Sequence, residues 1–434
     1  MANFVPTVCV GCGLLCDDIE VKVEGGKIVS TLHTCARGEW TLRRAHSNSR
    51  LTSPLIKKNG KLVKVSFEDA LSRAAEILSE AERPLLWGWS SASVEAQRLG
   101  ILLAQRLGGV IDSTSSICHG SSILAGREAG FRTATLGEVK NRADLIVYWG
   151  SDPSHSHPRH LSRYTIIPRG IYTQMGYEQK QLVIVDVRKS RTGKVANQIL
   201  EVEPNKDYEL ISAMRMVLKG KNIRDKEVAG IPVKVINQVI QTWKTRQFGV
   251  IFVGLGLSMS RGKYRNIEVL YKLVQELNDY TRFVAIPMAG HYNMVGFNHV
   301  ATWLTGHPLG IDASRGNIYS NPGETTGAEI IMRDEFDAML VVASDPISTM
   351  PLPIARKIAR KPLVVVDCLE TPTTKIADVV LPAAMTGIEV EGTAYRIDSV
   401  PIRLKKFLEP PRGCKSDEEI LSLLLSKIEK LGKK

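Results

Sequence analysis

Aromatic residues are scarce, at 6% of the 434-residue chain, and none of them interleave with arginine in the pattern that stacks nucleobases. Nucleic-acid binding is therefore not expected. The formal net charge of +12 comes from dispersed lysines and arginines, apart from the short tail KIEKLGKK. Long apolar runs are missing too. No window approaches the ~18 consecutive apolar residues of a membrane span, and the start MANFVPTVCVGCGLLCDD has no basic segment leading into an apolar core. These absences lead us to expect a soluble, cytoplasmic protein with no membrane partner, whose positive charge serves anionic ligands or acidic partner subunits. Cysteine is sparse and uneven: of seven, four lie within the first 35 residues, while Cys118, Cys368 and Cys414 stand alone. Without a secretory signal, that clustering argues for a metal site rather than disulfides.

An apolar content of 44% with 24% charged residues is that of a globular protein with a sizeable core. The runs PLLWGWS, DLIVYWG, QLVIVDV, FGVIFVGLG, FVAIP, AMLVVAS and PLVVVDC have strand length and are near-continuously apolar. Such strands are buried on both faces of a parallel sheet, which predicts an α/β fold with helices on both sides of open sheets. Before them, IEVKVEGGKIVS alternates around Gly25-Gly26 and predicts a β-hairpin. SFEDALSRAAEILSEAE predicts a helix capped by Ser66, with Asp69 three residues on.

One internal echo stands out. DLIVYWGSDPSHSHPRHL followed by QLVIVDVRKSRTGKVANQIL is mirrored by AMLVVASDPISTMPLPIARK followed by PLVVVDCLETPTTKIADVVL. In each, a strand runs into Ser-Asp-Pro (Gly150, Ser151 and Asp152; Ser344 and Asp345) and the next strand ends in Asp186 or Asp367. Ligands of open α/β sheets bind at strand carboxyl ends, where helix N-termini meet phosphates and an acidic residue takes ribose hydroxyls. Turn chemistry alone would explain one copy; the duplication favours two similar nucleotide-like ligands.

Cys9, Cys12 and Cys16 form C-x2-C-x3-C, with Cys35 following the hairpin. Three thiolates on one tight loop, with Gly11 and Gly13 exposing backbone N–H groups to sulfide, suit a [4Fe-4S] cubane; structural zinc, which prefers paired C-x2-C motifs, is the alternative. Cys118, beside His119 in ICHGSS, has three available roles by its local spelling: nucleophile, metal ligand or buried filler.

Together, CVGCGLLCDDI, CARGEW, the isolated ICHGSS and the late ADVVLPAAMTGIEVEGTAYRIDSVPIRLKK resemble the catalytic subunits of formylmethanofuran dehydrogenases, within the wider molybdopterin and tungstopterin oxidoreductases. The resemblance covers essentially the whole chain. It implies a [4Fe-4S] cluster on Cys9, Cys12, Cys16 and Cys35, with Arg37 between cluster and pterin. It makes Cys118 the ligand of a tungsten or molybdenum ion that two molybdopterin guanine dinucleotides also hold, with His119 as its catalytic neighbour. The two echoing units then become one dinucleotide cradle each, with Gly150, Ser151, Asp152, Asp186, Ser344, Asp345 and Asp367 as cofactor contacts. Gly254 and Gly256 of GLGLS, Gly290, His291 and Asn293 of GHYN, Thr374 and Asp378 of the segment Thr371 to Asp378, and Gly392 and Thr393 of EGTAYR complete the expected set.

The implied domains are an iron–sulfur module at 1–52, a discontinuous first pterin-binding α/β domain at 53–140 and 325–434, and a second at 141–324, without a C-terminal β-barrel domain. The implied reaction is reversible two-electron reduction of CO2 to formate. The implied partners are an amidohydrolase-like subunit, a small subunit supplying the C-terminal domain, and ferredoxin-like electron-transfer subunits. One departure is expected to matter: the resemblance leads us to expect an arginine before GHYN, where this chain has Ala289, with Arg127 or Arg315 as candidate substitutes.

Overall fold

The computed structural model describes residues 4–432, so the last two lysines of the basic tail lie outside it. The described chain divides into two compact units, one made of 1–117, 291–396 and 401–434, the other of 118–290 and 397–400.

The first unit begins with a small antiparallel sheet of Phe4–Thr7, Ile19–Glu24 and Lys27–Leu32. The expected hairpin is there. Gly25 and Gly26 both hold positive φ, +55° and +73°, as a two-residue turn matched to strand twist requires. Beyond it lies an eight-stranded sheet in the order Ile311–Asp312, Val110–Ser113, Leu85–Gly88, Met339–Val342, Leu363–Asp367, Val379–Pro382, Leu55–Lys58, Lys61–Lys64. Its five middle strands are parallel and its edges antiparallel. The expected helix Phe67–Glu80 forms under the Ser66 cap, whose hydroxyl accepts from Asp69 N–H and donates to the Asp69 carboxylate.

The second unit is a five-stranded, fully parallel sheet in the order Gln198–Glu201, Gln181–Asp186, Leu145–Trp149, Phe248–Val253, Arg282–Pro287. All the long apolar runs therefore became buried parallel strands, and the fold is the expected open-sheet α/β class. No closed barrel and no helix long and apolar enough to cross a membrane occur among the described residues.

The chain leaves the first unit at 117/118 and returns at 290/291, not at the expected 140/141 and 324/325. Packing partners far away in sequence account for both shifts. The helix Gly120–Ala129 packs on Tyr264–Leu277, with Phe131 stacked on Tyr271 at 5.5 Å, and so belongs to the second unit. The helix Met294–Thr305 packs on Val94–Leu107, and Ile311–Asp312 pairs antiparallel with the edge of the first sheet.

Each sheet has a switch point, where connections leave in opposite directions from neighbouring strands. In the first it falls between Leu85–Gly88 and Met339–Val342, and in the second between Leu145–Trp149 and Phe248–Val253. A Cβ on Gly88, whose φ is +119°, would stand 2.1 Å from the Val342 carbonyl oxygen, and one on Gly254 would stand 2.1 Å from that of Gly150. Only glycine permits this close backbone approach.

The helix Val94–Leu107 offers a direct test of packing against propensity. Gly100→Ala would gain roughly 1 kcal/mol of helix propensity. Its methyl would lie 2.4 Å from the ring of the fully buried Trp89, and such overpacking costs about 1–3 kcal/mol. We expect a net loss of stability, read as a lower denaturation midpoint with an unchanged slope in urea.

Candidate active site

The cysteine loop is closed by Cys9 N–H donating to Cys16 O at 2.9 Å and by Leu15, which holds a φ of +41°, donating to Cys12 O at 3.2 Å. Cys9, Cys12 and Cys16 are buried, and Cys35 is half-buried as the cap of the helix Ala36–Arg43. Gly11 N–H donates to the sulfur of Cys9 and Gly38 N–H to that of Cys35, each at 3.4 Å. A Cβ on Gly38 would stand 2.9 Å from Cys9 Sγ and 3.7 Å from Cys35 Sγ. Burial first, then the neighbouring cysteines, push the Cys9 thiol far up, and the Cys12 thiol is pushed up to about 12 chiefly by burial. Among the described residues, the sulfurs do not close into a ligating cage as they stand. Their chemistry nonetheless fits a metal cluster. Four thiols, three on one buried loop and the fourth at a helix cap, release their protons when a cation takes their place.

Cys118 is the first residue of the second unit and ends the short helix Ser115–Cys118. Burial pushes its thiol up to about 11, against the His119 N–H that favours the thiolate. A nucleophile needs thiolate at working pH, so this environment argues for a metal ligand, whose proton the metal displaces. The Cys118 carbonyl accepts from Ser258 Oγ at 2.9 Å, and Ser121 Oγ donates to Ser258 O at 3.2 Å. His119 is buried, and its Nε2 lies 3.0 Å from Met288 O. Because a carbonyl can only accept, Nε2 carries the hydrogen. Nδ1, buried and with no hydrogen-bond partner in the structure, keeps its lone pair. Burial lowers this ring to about 4, so it is neutral at physiological pH and able to take a proton.

The carboxyl edges of the two sheets repeat one construction. Asp152 caps Pro153–Ser156 and accepts from Thr192 N–H and hydroxyl; Asp345 caps Pro346–Thr349 and accepts from Thr373 N–H and hydroxyl. Thr192 and Thr373 each lie six residues beyond the strand-ending Asp186 and Asp367. Asp367 is buried, with Oδ1 accepting from Cys368 and Leu369 N–H at 2.7 and 3.1 Å; Asp186 is half-exposed; burial raises both carboxyls. The Ser-Asp-Pro carboxylates are thus engaged with the protein's own turns. Gly150 and Ser151 directly follow the strand Leu145–Trp149 at one carboxyl edge, and Ser344 lies two residues beyond Met339–Val342 at the other.

Gly254 and Gly256 are required within the protein: Gly254 N–H donates to Trp149 O and Gly256 N–H to Gly150 O, both at 2.9 Å. Asn293 is knotted into its own unit. Its side chain donates to Ala92 O at 2.7 Å and Thr393 O at 3.3 Å and accepts from Tyr395 N–H at 2.8 Å. Asn293 and Thr393 are therefore brought together, and Thr393 N–H also donates to Glu95 at 3.0 Å. A Cβ on the adjacent Gly392 would stand 2.9 Å from Thr386. His291 opens to solvent; its packed surroundings and then the charge of Arg37 lower its affinity for protons. Arg37 Nε donates to Gly11 O at 2.8 Å, which holds it on the cysteine loop.

Two expectations do not gather with the rest. Thr374 closes a capping box with Thr371. Asp378 sits at the amino end of its strand, accepting from Leu363 N–H at 2.9 Å and facing Lys57 at 3.3 Å, on the edge opposite Asp367. Its counterpart Asn197 accepts from Leu182 N–H at 2.7 Å in the other unit, so this position ties strands rather than lining the crevice. Ser258, Met288 and His157 were not anticipated. His157 Nε2 donates to Ala289 O at 2.9 Å, so successive carbonyls, Met288 and Ala289, each receive a histidine. Ser258 was visible as the last letter of GLGLS. Of the two candidate substitutes for the expected arginine, Arg315 is paired with Glu324 at 2.9 Å on an exposed surface, and Arg127 lies in the last turn of Gly120–Ala129.

Twin switch points, one per sheet, together with a cysteine-rich loop and a Cys-His pair, are features of an open-sheet α/β redox protein. The family model described as molybdopterin oxidoreductase matches residues 50–427, and the chain belongs to that family. Within it, the chain is 47% identical to the B component of the tungsten-containing formylmethanofuran dehydrogenase 2 of Methanocaldococcus jannaschii, over 98% of each. It is 46% identical to the protein of the same name from Methanococcus maripaludis, over 99% of this chain and 100% of that one; the chain is thus a homologue of that formylmethanofuran dehydrogenase component. An F420-dependent formate dehydrogenase alpha subunit of M. maripaludis is 23% identical over 98% of this chain and 70% of its own length. The crystal structure of a formyltransferase/hydrolase complex from Methylorubrum extorquens in complex with methylofuran contains a chain of the same fold (TM-score 0.72, 20% identity, 88% of this chain and 99% of that one).

His119 and His160 are both held proton-free, His119 near 4 and His160 well below its ordinary value, by burial and, for His160, the charge of His157. The unfolded chain takes up these protons near 6.5. Their contribution to stability is therefore complete above pH 6.5 and is lost as pH falls toward 4. His160→Asn keeps an acceptor near the Tyr148 hydroxyl, which lies 2.6 Å from His160 Nδ1, and should flatten the acid-side loss in denaturation series between pH 7 and 4; an unchanged slope would contradict the assignment. At the cysteine loop, Gly38→Ala forces a methyl onto Cys9 Sγ and should lower the metal bound per chain at least several-fold, read by metal analysis after anaerobic purification.

Proposed function

We propose that this chain is the catalytic subunit of a formylmethanofuran dehydrogenase. It interconverts CO2 and formate at a tungsten or molybdenum ion held by Cys118 and two molybdopterin guanine dinucleotides, with electrons arriving through a [4Fe-4S] cluster on Cys9, Cys12, Cys16 and Cys35. The observation that carries this reading is the pairing of a half-buried Cys118, whose surroundings favour the protonated thiol, with a His119 whose Nδ1 is left bare by the Nε2–H bond to Met288.

When bound, the metal centre supplies two-electron chemistry at carbon, tuned by its sulfur ligands. The chain's own residues do the rest. Burial around His119 keeps water from its ring, and Ser258 and Ser121 hold the loop that carries the pair. Nδ1 of His119 accepts or returns the proton that accompanies the electron pair. Arg37, held on Gly11 O, places a fixed cation beside the cluster loop, where it favours added negative charge. Gly150, Ser151, Asp152 and Asp186 at one edge, and Ser344, Asp345 and Asp367 at the other, each border one dinucleotide. Formate passes to an amidohydrolase-like partner for condensation with methanofuran. A small subunit and ferredoxin-like subunits complete a cytoplasmic assembly.

Purified complex should contain about four irons and one tungsten or molybdenum per copy of this chain. Cys118→Ala should abolish CO2 reduction while leaving the iron–sulfur spectrum intact; retained activity would refute its ligand role, and zinc in place of iron would refute the electron path.

A further inference from the structure

The dipeptide Met288-Ala289 follows the last strand of the second unit, Arg282–Pro287, and all four of its backbone polar groups are engaged. Met288 N–H donates to Val253 O at 2.8 Å and Ala289 N–H to Pro287 O at 3.1 Å. The two carbonyls go to histidines. Met288 O accepts from His119 Nε2 at 3.0 Å and Ala289 O from His157 Nε2 at 2.9 Å. Both rings are buried, and so is Ala289, so without His157 its carbonyl would be a buried acceptor left without a donor. The two carbonyls belong to adjacent rigid peptide planes that meet at the Ala289 Cα, and only two dihedrals relate them.

His157 has little freedom of its own. It ends the helix Pro153–Ser156, with its N–H on Pro153 O at 2.9 Å and its carbonyl accepting from His160 N–H at 2.8 Å. Its Nδ1 lies 2.9 Å from Ser156 Oγ, and its ring stands edge-on to that of His160, 6.4 Å between centres. Asp152, clasped by Thr192, caps the other end of the same helix. The echo of this turn in the first unit shows that the turn itself needs no histidine. There Asp345 caps Pro346–Thr349, Met350 ends it, and a proline follows, as Pro158 follows His157. The histidine stands only in the copy whose unit also carries Cys118 and His119.

We propose that His157 is a positioning residue for His119: by holding the Ala289 carbonyl it fixes the Met288 carbonyl, and with it the place and tautomer of the ring beside Cys118. The proposal rests on the reading of His119 as the group that accepts and returns the proton. His157 acts through two peptide planes and not on the substrate. Its effect belongs in the rate of turnover, because a shift of about 1 Å in a reacting group costs on the order of a hundredfold, while formate binding is left nearly unchanged.

The test uses the assembled complex carrying His157→Gln or His157→Asn. The glutamine amide nitrogen stands as many bonds from the backbone as Nε2 and can donate to Ala289 O, whereas that of asparagine is one bond short. Both variants should keep the parent's metal and guanosine monophosphate content. In viologen-coupled formate oxidation, His157→Asn should lower kcat at least about tenfold with KM for formate within about twofold, and His157→Gln should recover roughly half of the parent kcat or more. In crystals of the His157→Asn complex, His119 Nε2 should lie more than about 3.5 Å from Met288 O, outside hydrogen-bond reach. Equal kcat in the two variants, or an unmoved His119 ring in His157→Asn, would overturn the proposal. Loss of metal or nucleotide from His157→Asn would also overturn it, by making His157 part of the cofactor site. Parent-like activity in His119→Ala would instead overturn the proton-carrying reading of His119.

Discussion

Backbone pressed on backbone at the two switch points is the constraint from which the rest of the molecule follows. Gly88 against the Val342 carbonyl, and Gly254 against that of Gly150, leave no room for a side chain. Each contact sets two parallel strands close together at their carboxyl ends just where their connections part. Open α/β sheets place their ligand crevices at such switch points, here with little side chain in the way. The buried strands on either side, apolar on both faces, hold the crevice rigid.

The duplication in the sequence is a duplication of this device down to single hydrogen bonds. Asp152 clasps Thr192 and Asp345 clasps Thr373, each carboxylate also capping a four-residue helix. For Asp152, burial works against the charge, but the bonds from Thr192, Arg191 and Ser154 outweigh it and hold the carboxyl below its ordinary range. At the opposite edge, Asn197 and Asp378 tie the starts of neighbouring strands in the same way. Such charge-assisted clasps fix the turn that follows each strand, so Asp152 and Asp345 act first as architecture.

Much of this was legible beforehand because it depends on local chemistry. Continuous apolar runs became parallel strands, Gly25-Gly26 became a hairpin turn, and Ser66 capped its helix. What could not be read depends on partners far away in sequence. The segment 118–140 joined the second unit because its helix packs on Tyr264–Leu277, more than a hundred residues later. Asp378 read as a ligand contact within its motif, but strand direction carried it to the other edge. GLGLS drew notice for its glycines, which serve the loop contact, while its serine holds the Cys118 carbonyl. The Cys-His pair itself stood out by spelling; the surroundings that disfavour the Cys118 thiolate and the Met288 carbonyl that fixes the histidine's tautomer come from packing that the spelling does not show.

The central proposal is that each of the two alike crevices holds one guanine dinucleotide. Acid release of the cofactor from purified complex, with guanosine monophosphate counted against this chain and against tungsten plus molybdenum, tests it directly. The account predicts two guanosine monophosphates and one metal per chain; one nucleotide per chain, or none, would contradict it.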